Sequence, residues 1–423
     1  PDDFQIGEKK KRRLDLWLHG RDDKLTELSF IAGRQKSAGE FTPPGGIVLH
    51  LYGRFCNANK FAGEVDVLEA LDHVTNHYAI DPDKIIVRGF SMGGASCWHL
   101  AVHHPDLWAA AAPGAGFTET PIYMKVFAGS NVPPEWEQKL WHLYDSVDYA
   151  ANLFNLPTVA YSGEIDKQKQ AADEMAKAMS NEGMELVHII GPNTPHKYHP
   201  ESKIVINQTI DEILANRKSP VPKKVRFTTW TLKFNQSYWV RVEGLEKHWE
   251  RARVEAEIAG NAVNAATTNV SELTFSIPPG LSPFSAGSAV KVVIDHKEII
   301  SAKPGPDKSW SVRFRKSGAE WKMVSDPPDE KILRKKHDLQ GPIDDAFMGR
   351  FIFVLPTGAS LNDKVGEWTT REAKTAAEEW RAQFRGDVRV VKDLDLSEKD
   401  IAECHLILWG DPKSSRVIAK IAD

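Results

Sequence analysis

The rhythm of apolar and polar positions changes twice along the chain, and each texture predicts different elements. Up to about residue 216, short apolar runs alternate with stretches of helical period. Leu14-Asp15-Leu16-Trp17-Leu18-His19 alternates as a strand does, and Gly46-Ile47-Val48-Leu49-His50-Leu51 is a continuous run of the buried-strand type. Glu27-Leu28-Ser29-Phe30-Ile31 reads as a further strand. Between Gly63 and Tyr78, Val65, Val67, Leu68, Leu71, Val74 and His77 recur at helical spacing, with Glu64 and Asp66 in the first turn, read as acids that complement the helix dipole, with substrate carboxylates as the alternative. Residues 84–87, 109–113, 156–161 and 186–190 are strand-like. Residues 95–102, 135–152 (interrupted at 145–147), 168–179 and 201–216 are helical. Such alternation predicts an α/β fold, with a mostly parallel sheet and helices on both faces.

From Val225 the long helices disappear. Runs at 225–232, 237–242, 254–258, 272–277, 290–294 and 310–314 are separated by polar or Gly/Pro turns, which predicts a small antiparallel, sandwich-like β domain. A third texture starts near Gly341. Phe351–Leu355 reads as a buried strand, Asp363–Phe384 as a long helix, and 388–391 and 405–409 as strands followed by helical pattern, a βαβα unit. Asn216-Arg217-Lys218-Ser219-Pro220-Val221-Pro222, charged and then proline-punctuated, reads as a linker. The expected domains are 1–218, 219–340 and 341–423. The last is small for independent folding, so it is expected either to pack on the rest or to be truncated.

Composition narrows the function classes. At 423 residues, with 41% hydrophobic and 26% charged positions, the chain reads as a soluble multi-domain protein. A net charge of −4 gives no reason to expect nucleic acid as a partner. Lys9–Arg13 is a basic run at the entry to a strand and reads as solvated surface. Cys56, Cys97 and Cys404 form neither a disulfide framework nor a zinc pattern, and no apolar run is long enough to span a bilayer. No metal set and no cofactor are expected; His103 and His104 read as helix-terminal residues favoured by the dipole. The chain starts at Pro1 without a signal-peptide pattern, so any leader is expected to have been processed away or trimmed. Compartment and oligomeric state stay open.

The chemistry centres on Arg88-Gly89-Phe90-Ser91-Met92-Gly93-Gly94, between a β-branched run and a helical one. Gly-x-Ser-x-Gly in that setting is the form of a nucleophile elbow, a turn so tight that only glycines fit beside the serine. Ser91 needs a base and an orienting acid, which follow in the order Ser, Asp, His on loops after later strands. Asp166 lies after the strand ending at Tyr161, with Glu164 as its rival. His196 lies after the strand ending at Ile190, with His199 as its rival. The Met92 backbone N–H is the expected first oxyanion donor. The second is expected from the loop Tyr52-Gly53-Arg54-Phe55-Cys56-Asn57, as the Tyr52 hydroxyl or the Gly53 or Arg54 N–H. Arg54 is a candidate substrate clamp, with a structural salt bridge as its alternative.

Tyr52-Gly53, Tyr78–Ile85, Gly89-Phe90-Ser91-Met92-Gly93-Gly94, His104-Pro105-Asp106-Leu107-Trp108-Ala109-Ala110, Gly163–Asp166 and His196 together resemble the prolyl oligopeptidase-like branch of the α/β-hydrolases. Gly53-Arg54-x-Cys56-Asn57, Gly63-Glu64-x-Asp66 and Gly341–Phe347 are similar to large multi-domain members of planctomycete type. The resemblance implies a serine hydrolase acting on a peptide or ester bond, with Tyr52 as a hydroxyl oxyanion donor. Peptidases of that family carry a β-propeller ahead of the hydrolase domain, whose repeats this sequence does not show, so the esterase-like branch is expected. A small-molecule or peptide/ester substrate follows. Acyl transfer by the same residues is a further possibility, and a catalytically inactive hydrolase fold retained for binding is the reading from a different class.

Overall fold

Six parallel strands form the first sheet: β1 (Arg12–Leu18), β2 (Ile47–Leu51), β3 (Ile80–Phe90), β4 (Ala110–Gly114), β5 (Val159–Gly163) and β6 (Val187–Gly191), in the order β2-β1-β3-β4-β5-β6. The computed structural model describes residues 3–5, 7–54, 56–129, 132–216, 219–325 and 332–422. The associated helices are α1 (Glu27–Lys36), α2 (Ala62–His77), α3 (Met92–His103), α4 (Glu135–Trp141), α5 (Lys169–Asn181) and α6 (Pro200–Ala215). Leu14, Leu16 and Leu18 of β1 are fully buried, and so is the intervening Asp15. A buried carboxylate needs a partner. Asp15 has two, Arg13 at 2.6 Å and the equally buried Arg88 of β3 at 2.7 Å. The alternation in β1 therefore marks a strand covered on both faces, with its polar position neutralised internally.

The expected strand at Glu27–Ile31 is instead the first turn of α1. Thr26 Oγ1 accepts the Ser29 N–H and Ser29 Oγ accepts the Thr26 N–H, a reciprocal cap that starts a helix. Leu28 and Ile31 are exposed on its surface.

The β domain consists of β7 (Lys224–Thr229), β8 (Gln236–Ser237), β9 (Val240–Leu245), β10 (Ala252–Ala259), β11 (Ala262–Thr268), β12 (Val270–Ile277), β13 (Lys291–Ile294), β14 (Lys297–Ile300), β15 (Trp310–Ser317) and β16 (Glu320–Val324). They make two five-stranded sheets, β14-β13-β11-β10-β7 and β16-β15-β12-β9-β8. All neighbours are antiparallel except β11 and β13. One apolar core holds Phe227, Trp239, Phe275, Trp310, Phe314 and Trp321. Arg217 and Lys218 of the expected linker lie outside the described residues.

The sandwich and the six-stranded sheet belong to one compact unit, Pro1–Tyr52 with Leu71–His337. Buried Asn152, in the 3₁₀ segment Ser146–Asn155, is their clearest joint. Its Oδ1 accepts the Thr228 N–H at 2.7 Å, and its Nδ2 donates to the carbonyls of Thr228 and Val102 at 3.1 and 2.9 Å. His103, at the end of α3, is buried with its ring stacked 3.6 Å from that of Phe234. Trp230 stacks on His142 at 3.7 Å.

The second compact unit is Gly53–Ala70 with Asp338–Asp423. Its sheet is parallel, β17 (Phe351–Leu355) lying between β18 (Val390–Lys392) and β19 (His405–Leu408), with α7 (Asp363–Phe384), α8 (Glu398–Glu403) and α9 (Arg416–Ile421). Phe61 stacks on Phe384 of α7 at 5.5 Å. At the carboxyl ends of the strands, Asp393 accepts the Thr357 hydroxyl and the Arg416 N–H, both at 2.7 Å. Asp411 accepts the N–H groups of Leu361, Lys413 and Ser414, each at 2.9 Å. No helix among the described residues is long and apolar enough to cross a membrane.

Candidate active site

Ser91 stands between β3 and α3 at φ 58° and ψ −121°, a left-handed backbone that a serine adopts only under constraint. The constraint is visible. The Ser91 N–H donates to the Gly114 carbonyl at the end of β4 at 2.8 Å, and its carbonyl accepts the Ala95 N–H at 3.0 Å. Around the turn the backbones nearly touch: a Cβ on Gly89 would lie 2.0 Å from the Gly93 carbonyl oxygen, and one on Gly93 1.9 Å from that of Leu18. The glycines let β1, β3 and α3 close around the serine.

The parallel sheet points the carboxyl ends of all its strands the same way, so the loops after β3, β5 and β6 share one rim. Asp166 follows β5 and His196 follows β6. Asp166 Oδ2 lies 2.7 Å from His196 Nδ1, and His196 Nε2 lies 2.8 Å from Ser91 Oγ. An ionised aspartate can only accept, so Nδ1 carries the proton and Nε2 of the neutral ring is left to accept from the serine hydroxyl. The second aspartate oxygen accepts the Gln168 N–H at 2.9 Å, which fixes the carboxylate. The Asp166 side chain is 3% exposed, that of His196 38%. The rivals have other partners. Glu164 accepts the Asn193 N–H at 2.7 Å and ties the two loops together, while His199 occupies the N-cap position of α6.

The remaining expected site residues are placed as follows. Met92 opens α3, where a backbone N–H has no intrahelical partner. The Tyr52 hydroxyl donates to the Leu25 carbonyl at 2.9 Å. Gly53 has φ 65°. Arg54 Nε pairs with Asp66 at 2.5 Å, and Arg54 lines a cleft of about 620 Å³ in the second unit beside Trp380 and Arg389. Phe55 of the same loop lies outside the described residues. Sequence reading did not single out the aromatic groups around His196. The Phe90 ring is 4.9 Å from the imidazole, and Tyr198 lies 4.8 Å from Phe90 and 4.7 Å from Tyr161. Phe90 stood inside the elbow motif, and Tyr161 inside an apolar run.

A serine on such a turn, within a hydrogen-bonded series with a histidine and an aspartate from the loops after later strands of a parallel sheet, is an arrangement of the α/β-hydrolase fold. The family match is narrower, with residues 55–214 matching the model of the prolyl oligopeptidase family. No curated protein matches the chain in sequence. Among solved structures, the chain is similar to a putative dipeptidyl aminopeptidase IV from Bacteroides ovatus, at 13% identity over 51% of this chain and 32% of that one, TM-score 0.39. This chain thus spans about a third of the length of that protein. It is also similar to a fluorophosphonate-binding serine hydrolase of Staphylococcus aureus (16% identity, 51% and 87% covered, TM-score 0.36). A third similarity is to a thermophilic esterase from the planctomycete Thermogutta terrifontis (16% identity, 50% and 87% covered, TM-score 0.37).

Proposed function

We propose that the protein hydrolyses carboxylic esters through an acyl-enzyme on Ser91. The observation that carries this is the continuous hydrogen-bonded series Asp166–His196–Ser91. His196 Nε2 takes the proton as Ser91 Oγ attacks the ester carbonyl carbon, and Asp166 holds the ring in the required tautomer beside the imidazolium. The tetrahedral oxyanion is received by the Met92 N–H. The Tyr52 hydroxyl donates to the Leu25 carbonyl, which does not favour it as the second donor. The imidazolium then protonates the departing alcohol. Water, reaching the half-exposed imidazole, gives up a proton to Nε2 and attacks the acyl carbon, so that the carboxylic acid leaves, ionising in solution, and Ser91 recovers its proton from the imidazolium.

The match to a peptidase family supports a second reading, in which the same residues cleave a peptide bond. Two experiments separate the outcomes. A fluorophosphonate should label the wild type at Ser91, and labelling that persists in Ser91→Ala would remove the assignment. Turnover should be measured over esters of graded acyl length beside peptide amides. Ester hydrolysis is expected to be faster, with Ser91→Ala lowering kcat by about 10⁴-fold or more. A peptide amide turned over faster than every ester would replace the esterase reading with the peptidase one.

A further inference from the structure

We propose that Tyr161 is a positioning residue for catalysis, a pin that sets the loop bearing His196. The proposal rests on the reading of His196 as the base. Tyr161 sits near the end of β5 and is 1% exposed. Its main chain belongs to the sheet, with its carbonyl accepting the Ala115 N–H at 2.8 Å. Its side chain reaches over β6 into the loop that follows, and Gly191 gives it passage: a Cβ there would lie 2.4 Å from the phenol oxygen. The hydroxyl then uses both its donor and its acceptor capacity. It donates to the Lys197 carbonyl at 2.9 Å and accepts the His199 N–H at 2.7 Å. Between them Tyr198 lays its ring against that of Tyr161, centroids 4.7 Å apart. One side chain thus holds three successive residues immediately after His196.

The position of Nε2 depends on that loop. The imidazole is partly exposed, and its side-chain contacts are Asp166, Ser91 and the Phe90 ring. The two hydrogen bonds orient the ring once it is in place, but they do not fix the main chain carrying it. On the amino-terminal side of His196 that main chain is held by Glu164 at Asn193 and by the Ile165 N–H at the Thr194 carbonyl. On the carboxyl-terminal side it is held by Tyr161, from a buried strand of the same sheet that delivers Asp166. Acid and base are thereby referred to one rigid element, β5. Burial also raises the phenol pKa, keeping the hydroxyl protonated and able to donate to Lys197. Catalytic geometry is sensitive to displacements of about 1 Å, so loss of the pin should appear in the chemical step rather than in substrate binding.

Tyr161→Phe removes both hydrogen bonds and keeps the ring. The expected result is a kcat lowered about 10- to 100-fold on the best ester with KM within about twofold. The His199 amide should exchange with deuterium at least about tenfold faster than in the wild type. A kcat within twofold of wild type, or a His199 amide whose exchange is unchanged, would overturn the proposal. A second pair of variants leaves Tyr161 in place. His199 has φ −79°, which proline accepts. His199→Pro deletes the N–H that Tyr161 holds and is expected to lower kcat several-fold, whereas His199→Ala, which keeps that N–H, should stay within twofold. Equal activities in the two would count against the pin. The exchange measurement needs no turnover. A wild type that is inert to esters, amides and fluorophosphonates would therefore sink the hydrolase reading separately from the His199 protection that tests the clamp.

Discussion

Ser91 is held against its own backbone preference, and that cost, on the order of 1–3 kcal/mol, is borne by the contacts closing the turn. Gly93 is the most exacting of them. Gly93→Ala would drive a methyl into the Leu18 carbonyl, and since that carbonyl and the Cα carrying the methyl are both packed backbone, relief requires moving β1 or α3. The expected outcome is a loss of about 3 kcal/mol or more, read as a lower denaturation midpoint or failure to accumulate folded protein. Asp166→Asn should act differently. The fold is expected to survive, while the amide presents a donor toward Nδ1 and favours the wrong tautomer, lowering kcat by about 10³- to 10⁴-fold with normal unfolding. The elbow was legible in the sequence because its requirements are local: a β-branched run, glycines around a serine, then a helix. The placement of Asp166 and His196 beside Ser91 was legible from strand order. The role of Tyr161 was not, since what it holds are main-chain groups 36 and 38 residues away, which have no sequence signature.

Between elements, the joint of sandwich and hydrolase sheet is built from groups that no local pattern announces. Asn152 pairs with both main-chain groups of Thr228 as a neighbouring strand would, and also reaches the Val102 carbonyl in α3. Asn152→Ala leaves these buried groups without that partner and is expected to cost about 3 kcal/mol, measured by chemical unfolding. Glu182, at the end of α5, receives Arg251 and Arg253 from the sandwich. Burial pushes its pKa up, but the hydrogen bonds from Arg251 and Arg253, together with their charge, outweigh it and the folded value lies below the ordinary 4.5. A depressed carboxylate pKa stabilises fully above the unfolded value and progressively less as pH falls through the folded one. Glu182→Gln should therefore lower stability by about 1 kcal/mol at pH 7, given the partial exposure of both arginines, with the difference closing below pH 4.5. A difference that persisted at pH 3 would show that the arginines act through packing. His103 illustrates the same limit of sequence reading. A histidine in the last turn of a helix suggests a solvated group favoured by the dipole, yet it is buried because Phe234, 131 residues later, covers it.

At the scale of the whole molecule, chain order and compactness part company. The second unit takes the stretch from Gly53 to Ala70 out of the hydrolase sequence and joins it to the chain from Asp338 onward. Phe61 needs Trp380 and Phe384 beside it, so a chain ending at His337 should expose that segment. Amide exchange across 56–64 is expected to rise about tenfold or more in such a truncation. Textures of sequence locate strands and helices well, but they do not show which distant stretches share a core, because apolar periodicity says that a face is buried and not by what.

The small parallel sheet of this unit raises a question of occupancy. In open α/β sheets, ligands enter the crevice at the carboxyl ends of the strands, and phosphates are drawn by backbone N–H groups there. Here those groups are already taken by carboxylates of the same chain. Asp393 holds the first N–H of α9, and Asp411 holds three more in the loops after β17 and β19. Covalent tethering gives such internal ligands an effective concentration on the order of millimolar or higher, and dilution never removes them. Any group arriving from solution would meet these four N–H groups already engaged by Asp393 and Asp411.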